Sequence, residues 1–148
     1  MDAKRRTIDE EQHAIVEDIT SLGDAFSQYS YLLELSALLP PLSDGEKDAC
    51  TLVAGCQSQV WLLVTACKDN TVKIKAESDT LIVRGVLFLI VSLLDNRTAE
   101  DIETASITFV KETDLKTAFS DERLNGFDSI CNTLRTLSRA AANQQEDV

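Results

Sequence analysis

Between Thr80 and Asp95 the chain reads Leu-Ile-Val-Arg-Gly-Val-Leu-Phe-Leu-Ile-Val-Ser-Leu-Leu, a helix-length stretch that is apolar on nearly every side. A helix with no wet face has to be wrapped by the rest of its protein. Its most apolar part, Val86–Val91 with Leu93 and Leu94, is too short for a membrane span and suits a buried core helix. With 148 residues in all, the chain is long enough to wrap such a helix in one compact domain. No interdomain linker, repeat or low-complexity tract divides it, so residues 1–148 read as one domain, with a polar acidic tail from Asn143 onward.

The wrapping elements can be read on either side. Ile8, Ile15, Ile19 and Leu22 recur at helical spacing, and Gly23-Asp24 ends that helix. Asp24 can N-cap a second helix to about Leu38, which turns Tyr29, Leu32, Leu33 and Leu35 toward a core. Pro40-Pro41 stops it, and Ser43-Asp44-Gly45 reads as a turn. Three β-like runs follow: Thr51–Val53, Val60–Cys67 and Thr71–Glu77, the last two joined by the hairpin turn Lys68-Asp69-Asn70. In the third run Val72, Ile74 and Ala76 alternate with Lys73, Lys75 and Glu77, the pattern of a sheet with one solvated face. Ser78-Asp79-Thr80 offers capping side chains to the apolar helix. Thr98-Ala99-Glu100-Asp101 starts a short helix, and a less regular stretch reaches Phe119. Ser120-Asp121-Glu122 opens a last helix running to about Ala142. This order predicts an α+β fold: a small antiparallel sheet of about three strands, with helices packed on one face.

Charge narrows the function. There are 25 acidic and 14 basic residues, a formal net charge of −11, and no basic cluster, so a nucleic-acid partner is excluded as a reading. Such a surface favours solubility and steers basic proteins toward it. Met1 to Gln12 is charged and has no apolar run, so no secretory signal is expected, and the cytoplasm is the expected compartment. Cys50, Cys56, Cys67 and Cys131 form no CxxC pair, and His13 is the single histidine. Stable disulfides are unexpected in a reducing compartment, and the spacing predicts no metal site.

One of the four thiols has an unusual setting. Gly55 allows the sharp bend that puts Cys56 at or near the tip of a turn between the first two strands. A thiol that exchanges sulfur with other proteins needs such a place, because it must reach in line with a sulfur–sulfur bond in another active site. The whole string Gly55-Cys-Gln-Ser-Gln-Val-Trp61 resembles the signature of the SufE/CsdE sulfur-acceptor family. Tyr29-Ser-Tyr-Leu-Leu-Glu-Leu with Leu39-Pro40 and Leu42 is similar to that family's second helix and its proline-bearing segment. Glu77-Ser-Asp-Thr-Leu-Ile-Val-Arg-Gly85 resembles its Ser-Asp-x-x-Ile-Val-(Lys/Arg)-Gly run, and Arg123-Leu-Asn-Gly126 its Arg-x-x-Gly. Ala25 stands where the family often has tryptophan, Ser36 where it often has glycine, and Glu122 where it often has serine.

The resemblance implies a SufE/IscU-like fold and a sulfur carrier with no cofactor of its own. A pyridoxal-phosphate cysteine desulfurase of the SufS/CsdA type would form a persulfide on its own cysteine. Cys56 would take the outer sulfur, stimulate that enzyme, and pass the sulfur on to an iron–sulfur scaffold complex. No histidine lies near Cys56 in sequence, so activation must come from a positive local field, from loop rearrangement or from the partner's site. The loop either tucks against the apolar body at rest to shield the persulfide, with Gly55 as the hinge, or stays a permanently exposed tip that needs no motion. Arg123 faces the unfavourable positive end of its helix. It either serves an anion such as the Cys56 thiolate or persulfide, or pairs with Asp121 or Glu122. Asp79 reads as an N-cap or else a partner contact. Gln57 and Gln59 either shape the loop or are simply exposed. Arg84 reads as snorkelling or paired, Trp61 as core, and Cys50, Cys67 and Cys131 as structural. Two other classes stay open: an iron–sulfur scaffold, for which Cys50 and Cys56 supply two ligands with no evident third, and an interaction module with an inert Cys56.

Overall fold

The structure, a computed structural model, describes residues 5–146; residues 1–4 of the charged N-terminal stretch and the last two of the expected tail lie outside the described residues. Helix α1 (Ile8–Thr20) begins at a capping box in which Thr7 and Glu10 satisfy each other's backbone N–H groups. Helix α2 (Ala25–Leu35) begins at Asp24, whose carboxylate accepts from the Ser27 N–H at 2.7 Å. A 3-10 turn over Ser36–Leu38 carries the chain to the prolines. Leu32 and Leu35 are buried as expected, but Leu33 points outward, because it follows Leu32 by one residue on a helix whose inner face is narrow.

The sheet consists of β1 (Thr51–Leu52), β2 (Val60–Ala66) and β3 (Val72–Ser78), antiparallel in that order. Leu62 lies opposite Ala76 and Val64 opposite Ile74, so one face gathers the apolar residues of both long strands. Against this face pack α4 (Leu81–Leu94) and α7 (Asp121–Glu146). Ile82, Val86, Leu87, Leu89, Ile90, Leu93 and Leu94 of α4 are all buried, which makes it the central helix its composition demands. Short helices α5 (Ala99–Thr104) and α6 (Leu115–Ala118) fill the stretch between α4 and α7. Buried Gln12 ties that stretch to α1, donating to Ser106 O and accepting from the Thr108 and Phe109 N–H groups. Among the described residues no helix is long and apolar enough to cross a membrane.

Several expectations need correction. Ser43-Asp44-Gly45 is no simple turn: Ser43 and Glu46 form a capping box that starts helix α3 (Asp44–Ala49). This helix lies on the other face of the sheet, where Lys47 Nζ sits 4.5 Å from the Trp61 ring centroid and Glu46 pairs with Lys75. Helices therefore cover both faces. Trp61, between buried Val60 and Leu62, is half-buried on this outer face under a lysine and is not core. Glu77 is buried although its position in the alternation is solvated, because Arg84 reaches it from α4. Arg84 also donates to Leu39 O at 2.6 Å and Ser36 O at 3.2 Å, so it is paired. The residue at the α4 N-cap is Thr80, without a side-chain capping bond, and Asp79 is engaged elsewhere. Helix α7 runs four residues past Ala142, to Glu146, so the polar stretch from Asn143 is helical as far as it is described.

Candidate functional site

Gly55 has φ +84°, a conformation in which a side chain would be strained, and it turns the chain between β1 and β2 back on itself. The base of the loop is closed by the Val53 N–H donating to Val60 O at 2.9 Å. The turn delivers Cys56 onto α7. There Gly126 has no side chain to keep the loop away: a Cβ at that position would meet Cys56 Sγ at 3.4 Å. The Cys56 thiol points at Gly126 O, 3.6 Å away, a weak S–H contact that only the protonated thiol can donate. Cys56 is half-buried over a recess of about 40 Å3 lined by Val60, Ile82, Val86, Phe119 and Phe127. Burial pushes its thiol above the ordinary range, since a thiolate here would lose water and gain no cation in contact.

The leg of the loop beyond the cysteine is fixed by polar contacts. Ser58 Oγ accepts from Thr80 Oγ1 at 2.7 Å and from Arg123 Nη1 at 3.3 Å. The Asp79 carboxylate accepts from the Gln59 N–H at 3.1 Å, and the Asp79 N–H returns a bond to Gln59 O at 3.4 Å. Asp79 thus holds the cysteine loop to the start of α4. Gln57, exposed at the tip, donates its side-chain amide to the Glu122 carboxylate.

Arg123 lines the recess together with Cys56, and among the described residues it forms no ion pair with Asp121, Glu122 or any other carboxylate. The structure therefore brings together Gly55, Cys56, Gln57, Arg123 and Asp79, five positions singled out from sequence. Sequence reasoning did not single out Ser58, Thr80 or Gly126 as parts of the site, although each lies within a motif that carried the resemblance. Ser129 was missed outright; nothing in its neighbours marks it, yet its Oγ would sit 3.2 Å from a Cβ at Gly55.

The other thiols stand apart from this arrangement. Cys131 is buried in α7, and desolvation pushes its pKa up to about 12, so it is inert as a nucleophile. Cys50 ends α3, where burial first and the Glu46 charge second raise its pKa. All four cysteines are free, and among the described residues no three or more His, Cys, Asp or Glu side chains cluster closely enough to hold a metal ion.

A model of the SufE family, the Fe-S metabolism associated domain, matches residues 13–138. The chain belongs to the SufE family. That span takes in most of α1 and of α7, every element between them and the whole Cys56 site, and it places this SufE-family chain in Fe–S metabolism. Its fold matches the solution structure of a hypothetical protein from Thermus thermophilus with a TM-score of 0.74. The two are 20% identical, and the match covers 89% of this chain and 96% of the other. The SufE α+β architecture is thus shared at a distance where few side chains are retained.

Proposed function

We propose that this SufE-family protein is a sulfur carrier whose Cys56 takes sulfane sulfur from a cysteine desulfurase and delivers it for Fe–S cluster assembly. One observation carries the reading: Cys56 alone of the four thiols sits on a glycine-turned loop over an apolar recess, and the Arg123 guanidinium that also lines it forms no ion pair among the described residues. In the transfer, the Cys56 thiolate attacks the outer sulfur of a persulfide on the desulfurase. The new sulfur–sulfur bond forms on Cys56 as the old one breaks, and the desulfurase cysteine leaves as a thiolate. The electrons balance without an external oxidant or reductant. The cofactor chemistry that made the first persulfide belongs to the partner.

The resting geometry suits a carrier in two ways. A thiol held protonated against Gly126 O is protected from adventitious oxidation. The recess of about 40 Å3 exceeds what one water requires, so it has room for one added sulfur atom. Arg123 is the one cation among the lining residues that could serve an anionic persulfide there. The thiol has to leave this seat to reach a partner, with Gly55 absorbing the backbone change.

The test is incubation with a cysteine desulfurase and cysteine, followed by intact mass without reductant. One added sulfur, about 32 Da, is expected on the wild type and on Cys50→Ala, Cys67→Ala and Cys131→Ser. Cys56→Ser is expected to fold, to gain no sulfur and to leave the desulfurase unstimulated. Sulfur uptake or stimulation by Cys56→Ser at the wild-type level overturns the proposal, and bound iron points to a scaffold.

A further inference from the structure

The loop that carries Cys56 is held very unevenly. Its base is closed by the Val53–Val60 backbone bond, and its outgoing leg is pinned at Ser58 and Gln59 by Thr80, Arg123 and Asp79. The tip, residues 54–57, has far less. Ala54, Gly55 and Gln57 are exposed, and the Cys56 thiol makes only a weak contact with Gly126 O. Among the described residues, the one hydrogen bond between side chains that crosses from the tip to α7 runs from the Gln57 amide to the Glu122 carboxylate.

The positions of the two partners give this bond leverage. Gln57 is the residue after Cys56 and the last before the pinned leg, while Glu122 is one turn before Gly126, the residue on which the sulfur rests. Holding Gln57 to Glu122 therefore holds the sulfur to its seat. Releasing it leaves a tip that hinges at Gly55, where φ is already +84°, and at the pinned Ser58.

We propose that Gln57 and Glu122 form a latch that closes the cysteine loop, making Glu122 a positioning residue that sets how often Cys56 is presented. The inference rests on the reading of Cys56 as a thiol that must leave its recess, and it names what restrains that motion. A closed latch hides the sulfur and keeps it protonated against a carbonyl; an open one exposes it to solvent and to any thiolate-stabilising group of a partner. The bond is exposed, so its worth is that of an ordinary hydrogen bond and the latch is readily opened. A cationic side chain of a docking protein competes directly for the same carboxylate.

The experiment measures iodoacetamide alkylation of Cys56 in the free protein, in a Cys50→Ala, Cys67→Ala background, across a range of pH. This readout needs no desulfurase, so it separates failure of the latch from failure of the sulfur-carrier reading. Gln57→Ala, which removes no charge, is expected to raise the high-pH plateau rate roughly fivefold, the factor that a hydrogen bond of ordinary strength implies. Glu122→Ala is expected to do the same, and the double variant to equal either single one, because both break one interaction. Glu122→Gln keeps an acceptor oxygen and is expected to fall between. A Tm unchanged by these substitutions separates loop release from general loosening. A wild-type plateau in Gln57→Ala overturns the latch. So does a double variant whose effect is the product of the two, or a change confined to the pH midpoint, which would make Glu122 an electrostatic neighbour only.

Discussion

A methyl group added at Gly55 would come within 3.2 Å of Ser129 Oγ, and the residue bearing it would sit at φ +84°. Both penalties apply only while the loop is seated, so Gly55→Ala is expected to act first on Cys56. Its alkylation should quicken several-fold in the free protein, with a fall of about 1 kcal/mol in unfolding free energy by urea titration. A wild-type alkylation rate would show that the turn tolerates a side chain and that the hinge lies elsewhere. Gly55 and Cys56 were legible in the sequence because the residues that make the turn and the residue that uses it are neighbours. The seat was not. Gly126 and Ser129 lie some 70 residues downstream, and a small residue on a helix says nothing about what will rest on it. Arg123 was legible as a misplaced charge; its contact with Ser58 was not, because it depends on how α7 crosses the loop.

Among the elements, Arg84 joins three. From α4 it reaches Glu77 at the end of β3 and the carbonyls of Ser36 and Leu39 after α2. Arg84→Ala leaves a buried carboxylate and two carbonyls without their cation, which is expected to cost about 3 kcal/mol or more by urea unfolding. A loss below about 1 kcal/mol would mean that water replaces the guanidinium freely. Local signals located most of the elements: the cap at Asp24, the alternation of Val72, Ile74 and Ala76, and the apolar length of α4 all act within one segment. What local signals could not supply was set by contacts between segments. Helix α3 has no buried residue and hence no apolar period, only its Ser43–Glu46 capping box, and it stands by covering the sheet through Lys47 and Glu46. Glu77 left the solvated face for the same kind of reason, a partner seven residues on that the strand pattern does not contain.

Taken whole, the protein carries a net charge of −11 over 148 residues, and any protein that docks on it meets a negative field before it meets the loop. Association with a desulfurase is therefore expected to be steered when the partner's docking face is basic. Its rate should fall several-fold between about 50 and 500 mM salt, by stopped-flow or surface measurements, while the dissociation rate changes little. A salt-independent on-rate would place recognition in apolar contact alone. The seat of the thiol adds a constraint of another kind, because Cys56 and the helix it rests on are separated by 70 residues of chain. During synthesis at about 5–20 residues per second, the cysteine emerges roughly 4–14 s before its cover has been made. A nascent or prematurely ended chain thus displays a bare, ordinary thiol. Only a chain made through the start of α7 can withdraw it, so slow alkylation of Cys56 would double as a report that α7 is in place.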